Sequence, residues 1–368
     1  MNDTADRRYM ARALQLARRG IYTADPNPRV GCVLVGDDRI VGEGWHERAG
    51  EPHAEVNALR AAGAAAKGAT AYVTLEPCSH HGRTPPCADA LIEAGITRVV
   101  AAMEDPNPQV AGQGLKRLRE AAIEVESGVM AAEAEALNPG FVSRMRRGRP
   151  WVRCKLAMSL DGRTAMASGE SKWITGKAAR ADVQRLRARS SAIVCGIGTV
   201  LADDPALTAR LENTAVRQPL RVVLDPYLST PDSARMLQQP GDTLIICAED
   251  EPAIRERLQA VGAEVVVLPG RDATIDLAAL MHLLGQRQIN EVLVETGAVL
   301  SGAVLRAGLI DELVVYMAPH LMGDQARGLF HLPGLDTMQE RIEVVIDDIR
   351  AVGRDWRVTA RVRAPQER

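Results

Sequence analysis

Two short segments constrain this 368-residue chain more than anything else in it. His53-Ala54-Glu55 is followed, after twenty-one intervening residues, by Pro77-Cys78-Ser79-His80-His81-Gly82-Arg83-Thr84-Pro85-Pro86-Cys87. A neutral imidazole and two thiolates are three good zinc ligands. Three protein ligands leave the fourth tetrahedral position to water, which separates a catalytic zinc from a closed structural one. Zinc lowers the pKa of that water to about 7, and Glu55 is placed to carry its proton to a leaving amine. A structural zinc knot would need a fourth ligand, which His80 or His81 could supply. It would leave Glu55 and the proline-flanked Cys78 without a purpose.

The chain around these segments reads as alternating helices and strands. Tyr9 to Arg19 has helical periodicity, with Met10, Ala13, Leu14 and Ala17 on one face. Val30–Val35 and Ile40–Trp45 are apolar runs split by Gly36-Asp37-Asp38, a hairpin signal. A helix is expected to start near His53 and run to Ala66, placing His53 and Glu55 in its positively polarised first turn. A strand over Ala71–Leu75 delivers Glu76, Pro77 and Cys78, and Cys87 opens a helix to Ala94. Val99–Met103 is a further strand and Leu115–Ala122 a further helix. Such alternation implies a layered α/β fold. Asn138-Pro139-Gly140 and the basic run Arg144 to Pro150 mark a boundary, read as a solvated linker or helix end, which divides the chain into residues 1–147 and 148–368.

Two domains are what this length predicts. In the second, strands are expected at Trp151–Ala157, Ala192–Cys195, Arg221–Leu224, Thr243–Cys247, Glu264–Leu268 and Glu291–Val294, parallel and with helices between them. Lys177–Arg189 reads as one of these helices. Asp311–Ala318 and Arg354–Val362, with no helix between them, suggest an antiparallel edge. No G-x-G-x-x-G is present, because the third glycine position after Gly196 and Gly198 holds Leu201.

Charge and cysteines narrow the functional classes. Residues 1–148 carry 18 basic and 19 acidic side chains, and residues 149–368 carry 27 and 28. Neither half has the basic footprint of a nucleic-acid surface. Aromatics, at 3 %, are too few for base-stacking platforms. Cys32, Cys154, Cys195 and Cys247 lie in apolar runs and are expected as buried thiols. Met1 to Arg8 is polar and no window approaches a membrane span, so neither a signal peptide nor a membrane partner is expected, and a cytoplasmic location fits.

The pairing H-x-E with a proline-flanked cysteine is the signature of zinc deaminases, whose usual second half is C-x-x-C. Here eight residues separate the cysteines. The long form, PCSHHGRTPPC, resembles the deaminase half of the bifunctional riboflavin-biosynthesis deaminase–reductases. In the second half, Lys155-Leu156-Ala157-Met158-Ser159-Leu160-Asp161-Gly162, the loop Ser168 to Gly176, the stretch Gly196 to Arg210 and Val294-Glu295-Thr296-Gly297-Ala298-Val299-Leu300-Ser301-Gly302 together resemble the reductase half of the same enzymes. One departure is visible: Thr296-Gly297-Ala298 stands where the family usually carries glycines and a proline.

The resemblance implies a cytidine-deaminase-like zinc domain followed by a dihydrofolate-reductase-like α/β domain. It implies Zn2+ and NADPH as cofactors, phosphorylated pyrimidine intermediates as substrates, and a homo-oligomer. Carried over residue by residue, it makes His53, Cys78 and Cys87 the metal ligands and Glu55 the catalytic acid–base. Asn27, His46 and Arg83 would touch the deaminase substrate. Ala157, Trp173, Thr199, Asp203 and the turn Gly297, Ala298, Val299, Leu300, Ser301 and Gly302 would face NADPH. Ser171, Arg187, Leu207, Arg210 and Glu295 would face the reductase substrate, with Arg187 and Arg210 as forks for its phosphate. Ser171, Lys172, Thr175 and Lys177 share a polar loop suited to the 2′-phosphate of NADPH. Plainer readings stand beside these: Arg187 on a solvated helix face with Arg185 and Arg189, Asp203 as a helix cap, Trp173 as core, and Asn27 as part of its Asp-Pro-Asn-Pro turn. A nucleic-acid base deaminase, or a binding protein with inert sites, are competing readings of the whole chain.

Overall fold

The computed structural model describes residues 3–79, 86–108, 110–212, 214 and 216–363. It divides into two compact units, residues 1–148 and 149–368. The first contains α1 (Asp3–Ala17), β1 (Gly31–Gly36), β2 (Arg39–Trp45), α2 (Ala54–Ala62), β3 (Thr70–Val73), α3 (Cys87–Glu93), β4 (Arg98–Ala101), α4 (Gln113–Glu120), β5 (Glu124–Ser127), α5 (Ala131–Leu137) and α6 (Pro139–Arg147). Its sheet runs β2-β1-β3-β4-β5. The β1 strand pairs antiparallel with β2 and β3, whereas β3, β4 and β5 are parallel. Asp37 and Asp38 both have positive φ, 49° and 57°, as a tight hairpin turn demands.

Small residues set the position of α2. A Cβ on Gly44 would lie 2.3 Å from the Ala54 carbonyl oxygen, and one on Gly42 would lie 2.4 Å from that of Ala58. Only glycine on β2 lets the Ala-rich helix lie this close, and this contact seats the residue at its start, His53. Met10, Leu34, Leu91, Val99, Leu115 and Leu118 fill the core of this unit.

One expectation changes here and another is narrowed. The first helix starts at Asp3 instead of Tyr9, because buried Asp6 anchors it to the Tyr72 hydroxyl (2.7 Å) and the Arg98 guanidinium (2.8 and 2.9 Å). A polar anchor leaves no trace in apolar periodicity. Of the two readings of the basic run, linker or helix end, the second holds: Pro139 sits in the first turn of α6, and Arg144, Arg146 and Arg147 occupy the last, where the helix dipole favours cations.

The second unit contains β6 (Trp151–Ser159), β7 (Arg163–Ala165), α7 (Lys177–Arg189), β8 (Ala192–Gly196), α8 (Ile197–Asp203), β9 (Leu220–Leu224), β10 (Thr243–Cys247), α9 (Pro252–Ala260), β11 (Ala263–Val267), α10 (Leu277–Gln286), β12 (Glu291–Val294), α11 (Ala298–Arg306), β13 (Glu312–Ala318), β14 (Arg327–Gly328), β15 (Val344–Val352) and β16 (Asp355–Val362). Nine of these strands form one sheet in the order β11-β10-β9-β8-β12-β6-β13-β16-β15, with an apolar cluster on each face. The strands from β11 to β13 are parallel, and β16 and β15 close the sheet antiparallel. No α-helix joins β9 to β10. Asp225 instead accepts from the Ser229 and Thr230 amides and the Thr230 hydroxyl, turning the chain directly after β9.

The edge strand β15 was not anticipated. Most of it is exposed, and Val344-Val345-Ile346-Asp347-Asp348-Ile349 lacks the alternation of a half-buried strand. A register shift between Ile346 and Asp348 breaks the pattern further. Among the described residues, no helix is long and apolar enough to cross a membrane.

Candidate active sites

In the first unit three separate elements bring His53, Cys78 and Cys87 together. His53 is the N-cap residue of α2, Cys78 lies just beyond β3, and Cys87 is the first residue of α3. His53 Nδ1 lies 3.2 Å from Cys87 Sγ and 3.7 Å from Cys78 Sγ, and the three donor atoms lie within 4.8 Å of one another. Tetrahedral zinc with Zn–N near 2.0 Å and Zn–S near 2.3 Å spaces N and S about 3.6 Å apart. The donor set therefore fits zinc in both type and spacing.

The protons of this cluster follow its geometry. The Cys78 thiol is held well below the usual thiol range by a hydrogen bond from Cys87, against the cost of burial, with further help from His53 and the Cys87 amide. Cys87 is pushed up by facing Cys78 and by burial. His53 is raised by its hydrogen bond to Cys78. Glu55, one residue into α2 and fully enclosed, is pushed up by burial to about 7. A carboxyl poised there both takes and gives a proton near neutrality.

Asn27 and His46 join this site. His46 Nδ1 faces the Pro52 carbonyl at 3.2 Å, and a carbonyl only accepts, so the proton is on Nδ1. Nε2 is then an acceptor for Asn27 Nδ2 at 3.0 Å. Burial lowers the His46 pKa, and its ring stands edge-on to His53 with centroids 5.4 Å apart. Asn27 thus does more than complete its turn. Arg83, His80 and His81 lie outside the described residues.

In the second unit Ser159, Gly196 and Val294 mark the C-terminal ends of β6, β8 and β12, the usual position for ligands in open α/β sheets. The Arg187 guanidinium is not on a solvated helix face. Its side chain is 14 % exposed and grips Glu295 through Nε (2.6 Å) and Nη2 (2.9 Å), while Nη1 donates to the Thr208 carbonyl at 3.2 Å. Lys155 approaches the same carboxylate at 3.7 Å. Burial alone would raise the Glu295 pKa, but these two cations overrule it and hold it at about 2. Leu207 is buried with φ of 47°, beside Thr208, and the Arg210 amide donates to Gln184 Oε1. Arg187 thus joins Glu295 to the 207–210 segment that carries Leu207 and Arg210.

Around them, Trp173 is 69 % exposed and carries the Arg180 guanidinium 4.6 Å above its ring, so it is not core. Asp203 ends α8 and pairs with Lys172 at 2.8 Å, which ties the polar loop of Ser171 to that helix. Thr199 lies in α8, and Ala157 in β6 opposite Tyr316. The turn from Gly297 opens a helix, as expected from its place after a strand: Gly297 is the N-cap and Ala298 to Gly302 are the first residues of α11. Gly297, Ala298 and Val299 open it with no side-chain cap, a start suited to a phosphate. Leu300, Ser301 and Gly302 face inward: Leu300 packs beneath Gly196, Ser301 accepts from the Cys154 thiol at 3.8 Å, and a Cβ on Gly302 would lie 2.1 Å from the His331 carbonyl oxygen.

Comparison with known proteins decides what these two sites belong to. Residues 3–103 match the cytidine and deoxycytidylate deaminase zinc-binding region, and residues 150–358 match the RibD C-terminal domain. The riboflavin biosynthesis protein RibD of Escherichia coli is 56 % identical over 361 residues, covering 95 % of this chain and 97 % of its own. The chain is a member of the RibD family. The Haemophilus influenzae RibD is 49 % identical over 366 residues, covering 95 % and 96 %. An Acinetobacter baumannii RibD structure superposes with a TM-score of 0.93 at 46 % identity, over 99 % of this chain and 100 % of that one. A Thermotoga maritima diaminohydroxyphosphoribosylaminopyrimidine deaminase/5-amino-6-(5-phosphoribosylamino)uracil reductase superposes at 0.87 with 33 % identity, over 98 % and 100 %.

As a RibD protein the chain is a bifunctional enzyme of riboflavin biosynthesis, a hydrolase and an oxidoreductase acting on small molecules. The expected order, a cytidine-deaminase-like zinc domain and then a reductase domain of the NADPH-using RibD type, stands. Two side chains of these RibD sites carried no separate signal in the sequence: Lys155 beside Glu295, and Glu76 behind Cys78. Each is defined by a partner remote along the chain.

Proposed function

We propose that the first unit hydrolyses the 2-amino group of 2,5-diamino-6-(ribosylamino)-4(3H)-pyrimidinone 5′-phosphate and that the second reduces the ribosyl side chain of the product to ribityl, giving 5-amino-6-(5-phosphoribitylamino)uracil. The observation that carries this reading is the convergence of His53 Nδ1, Cys78 Sγ and Cys87 Sγ beside an enclosed Glu55 poised near neutrality. These three residues would hold zinc, which supplies Lewis-acid activation of water when bound. Glu55 takes the proton of the attacking water on its carboxylate and hands it to the departing amine. Neutral His46, fixed as the Nδ1–H tautomer, and Asn27 line the pyrimidine, and Arg83 is assigned to the same substrate.

In the second unit NADPH supplies a hydride when bound. Gly297, Ala298 and Val299 offer amide donors to a phosphate, with Leu300, Ser301 and Gly302 backing them. Ala157, Trp173, Thr199 and Asp203 complete the cofactor side. Ser171, Arg187, Leu207, Arg210 and Glu295 form the substrate side. Arg187 acts there as a pair with Glu295, which leaves Arg210, exposed at the rim, as the phosphate fork.

We infer a cytoplasmic homo-oligomer built on β15 and β16, where Val344, Val345, Ile346, Ile349 and Trp356 form an exposed apolar edge. The chemistry is tested by Glu55→Gln, which removes the proton carrier and no ligand. Deamination should fall by at least ~10²–10⁴-fold with one zinc per chain retained, whereas Cys78→Ser should lose the metal. Near-normal deamination by Glu55→Gln refutes the assignment.

A further inference from the structure

Behind the zinc triad stands a second buried carboxylate, Glu76, two residues ahead of Cys78. Its Oε2 accepts from the amides of Asp105 and Gly112, both at 2.9 Å, and its Oε1 from those of Gly114 at 2.8 Å and Leu115 at 3.3 Å. An ionised carboxylate only accepts and has about four lone-pair sites, so four amide donors suit it.

The reason lies in α4. Its N-cap residue is Gly112, with φ of 77° and no side chain, so the N-cap residue offers the first-turn amides no side-chain cap. Glu76 supplies one from a different element, where a negative charge is favoured. Gly114 makes room: a Cβ there would lie 1.9 Å from the Pro77 carbonyl oxygen. The Glu76 amide also donates to Met103 at 2.9 Å, so this strand end is held by backbone and side chain together. From it Cys78 meets Cys87, whose amide points at Cys78 Sγ at 3.3 Å, and the Ala88 amide donates to the Cys78 carbonyl at 3.1 Å. Arg117 pairs with Asp89, joining α4 to the helix that carries Cys87.

We propose that Glu76 is a positioning residue of the zinc site: by clamping the amides of Asp105, Gly112, Gly114 and Leu115 onto the strand end, its carboxylate fixes Cys78 relative to Cys87 and His53. This rests on the zinc triad argued above. Glu76→Gln keeps the size but turns one oxygen into a donor facing amide N–H groups. In the full-length protein, zinc affinity measured by chelator competition should weaken by about 10–100-fold, the usual cost of losing a group that orients a ligand. The thiolate-to-cobalt absorption of the cobalt-substituted protein should change, and NADPH-dependent reduction should not.

Leu118→Ala, a core truncation in α4 that does not touch the carboxylate, controls for general loosening and should lower the melting temperature while leaving zinc affinity intact. Unchanged affinity and spectrum in Glu76→Gln overturn the proposal, and so does equal weakening in Leu118→Ala. If Glu76→Gln fails to fold, Glu76→Asp, which keeps the charge with a shorter reach, should fold with weakened affinity. Failure of both to fold assigns Glu76 to stability alone and overturns positioning. Full zinc retention by Cys78→Ser strikes down the triad itself, an outcome distinct from failure at Glu76.

Discussion

Arg187 and Glu295 show how far one side chain's role depends on what faces it. Along the sequence Arg187 is one of three arginines within five residues of α7. In the structure it is enclosed, and it holds Glu295 ionised far below the usual carboxylate range. The sign of the linkage follows. The folded-state pKa of about 2 lies below an unfolded value of about 4.3, so the stabilisation is fully present above pH ~4.3 and is lost as pH falls towards 2. Its size is on the order of 3 kcal/mol. Glu295→Gln should therefore unfold more readily than the parent at neutral pH, and the gap should shrink between pH 4 and 2 in denaturant melts of the second unit. A gap that stays constant with pH contradicts the ion pair as the source. His53, Glu55, Cys78 and Cys87 were legible in the sequence because zinc chemistry restricts residue type and spacing together. Glu76 and Lys155 were not, because their partners are backbone amides and a carboxylate supplied by distant segments.

At the scale of elements, legibility tracked burial. Lys177–Arg189, Thr243–Cys247 and Glu291–Val294 coincide with α7, β10 and β12 as read from apolar pattern. In contrast, β5 and α5, short and only partly buried, went unread, as did β15. An edge strand that presents Ile346 and Ile349 to solvent, each 54 % exposed, is a liability unless something covers it. If a second copy does so, Ile346→Lys with Ile349→Lys should shift the mass in light scattering towards one chain while both activities persist under saturating substrate. An unchanged mass removes this edge from the interface. The basic run ahead of the second unit is the helix end that was one of its two readings: Asn138-Pro139-Gly140 has the composition of a turn, but proline is well suited to the first turn of a helix, and α6 begins there.

Over the whole molecule, the core of Met10, Leu91 and Leu118 and the cores of Val152, Leu293 and Tyr316 are built from separate stretches of chain. A fragment beginning at Arg149 should fold and reduce the deaminated intermediate without zinc, as followed by NADPH absorbance. Chelator-sensitive reduction by this fragment contradicts the division. The same division has a genetic corollary. A lesion in one half leaves the other half's fold untouched, so two copies that are each inert for the pathway need not be inert together. A riboflavin auxotroph expressing Glu55→Gln from one plasmid and Arg187→Ala from another should grow without the vitamin, although neither plasmid supports growth alone. Intragenic complementation of that kind would make one reading frame behave in a cross as two cistrons.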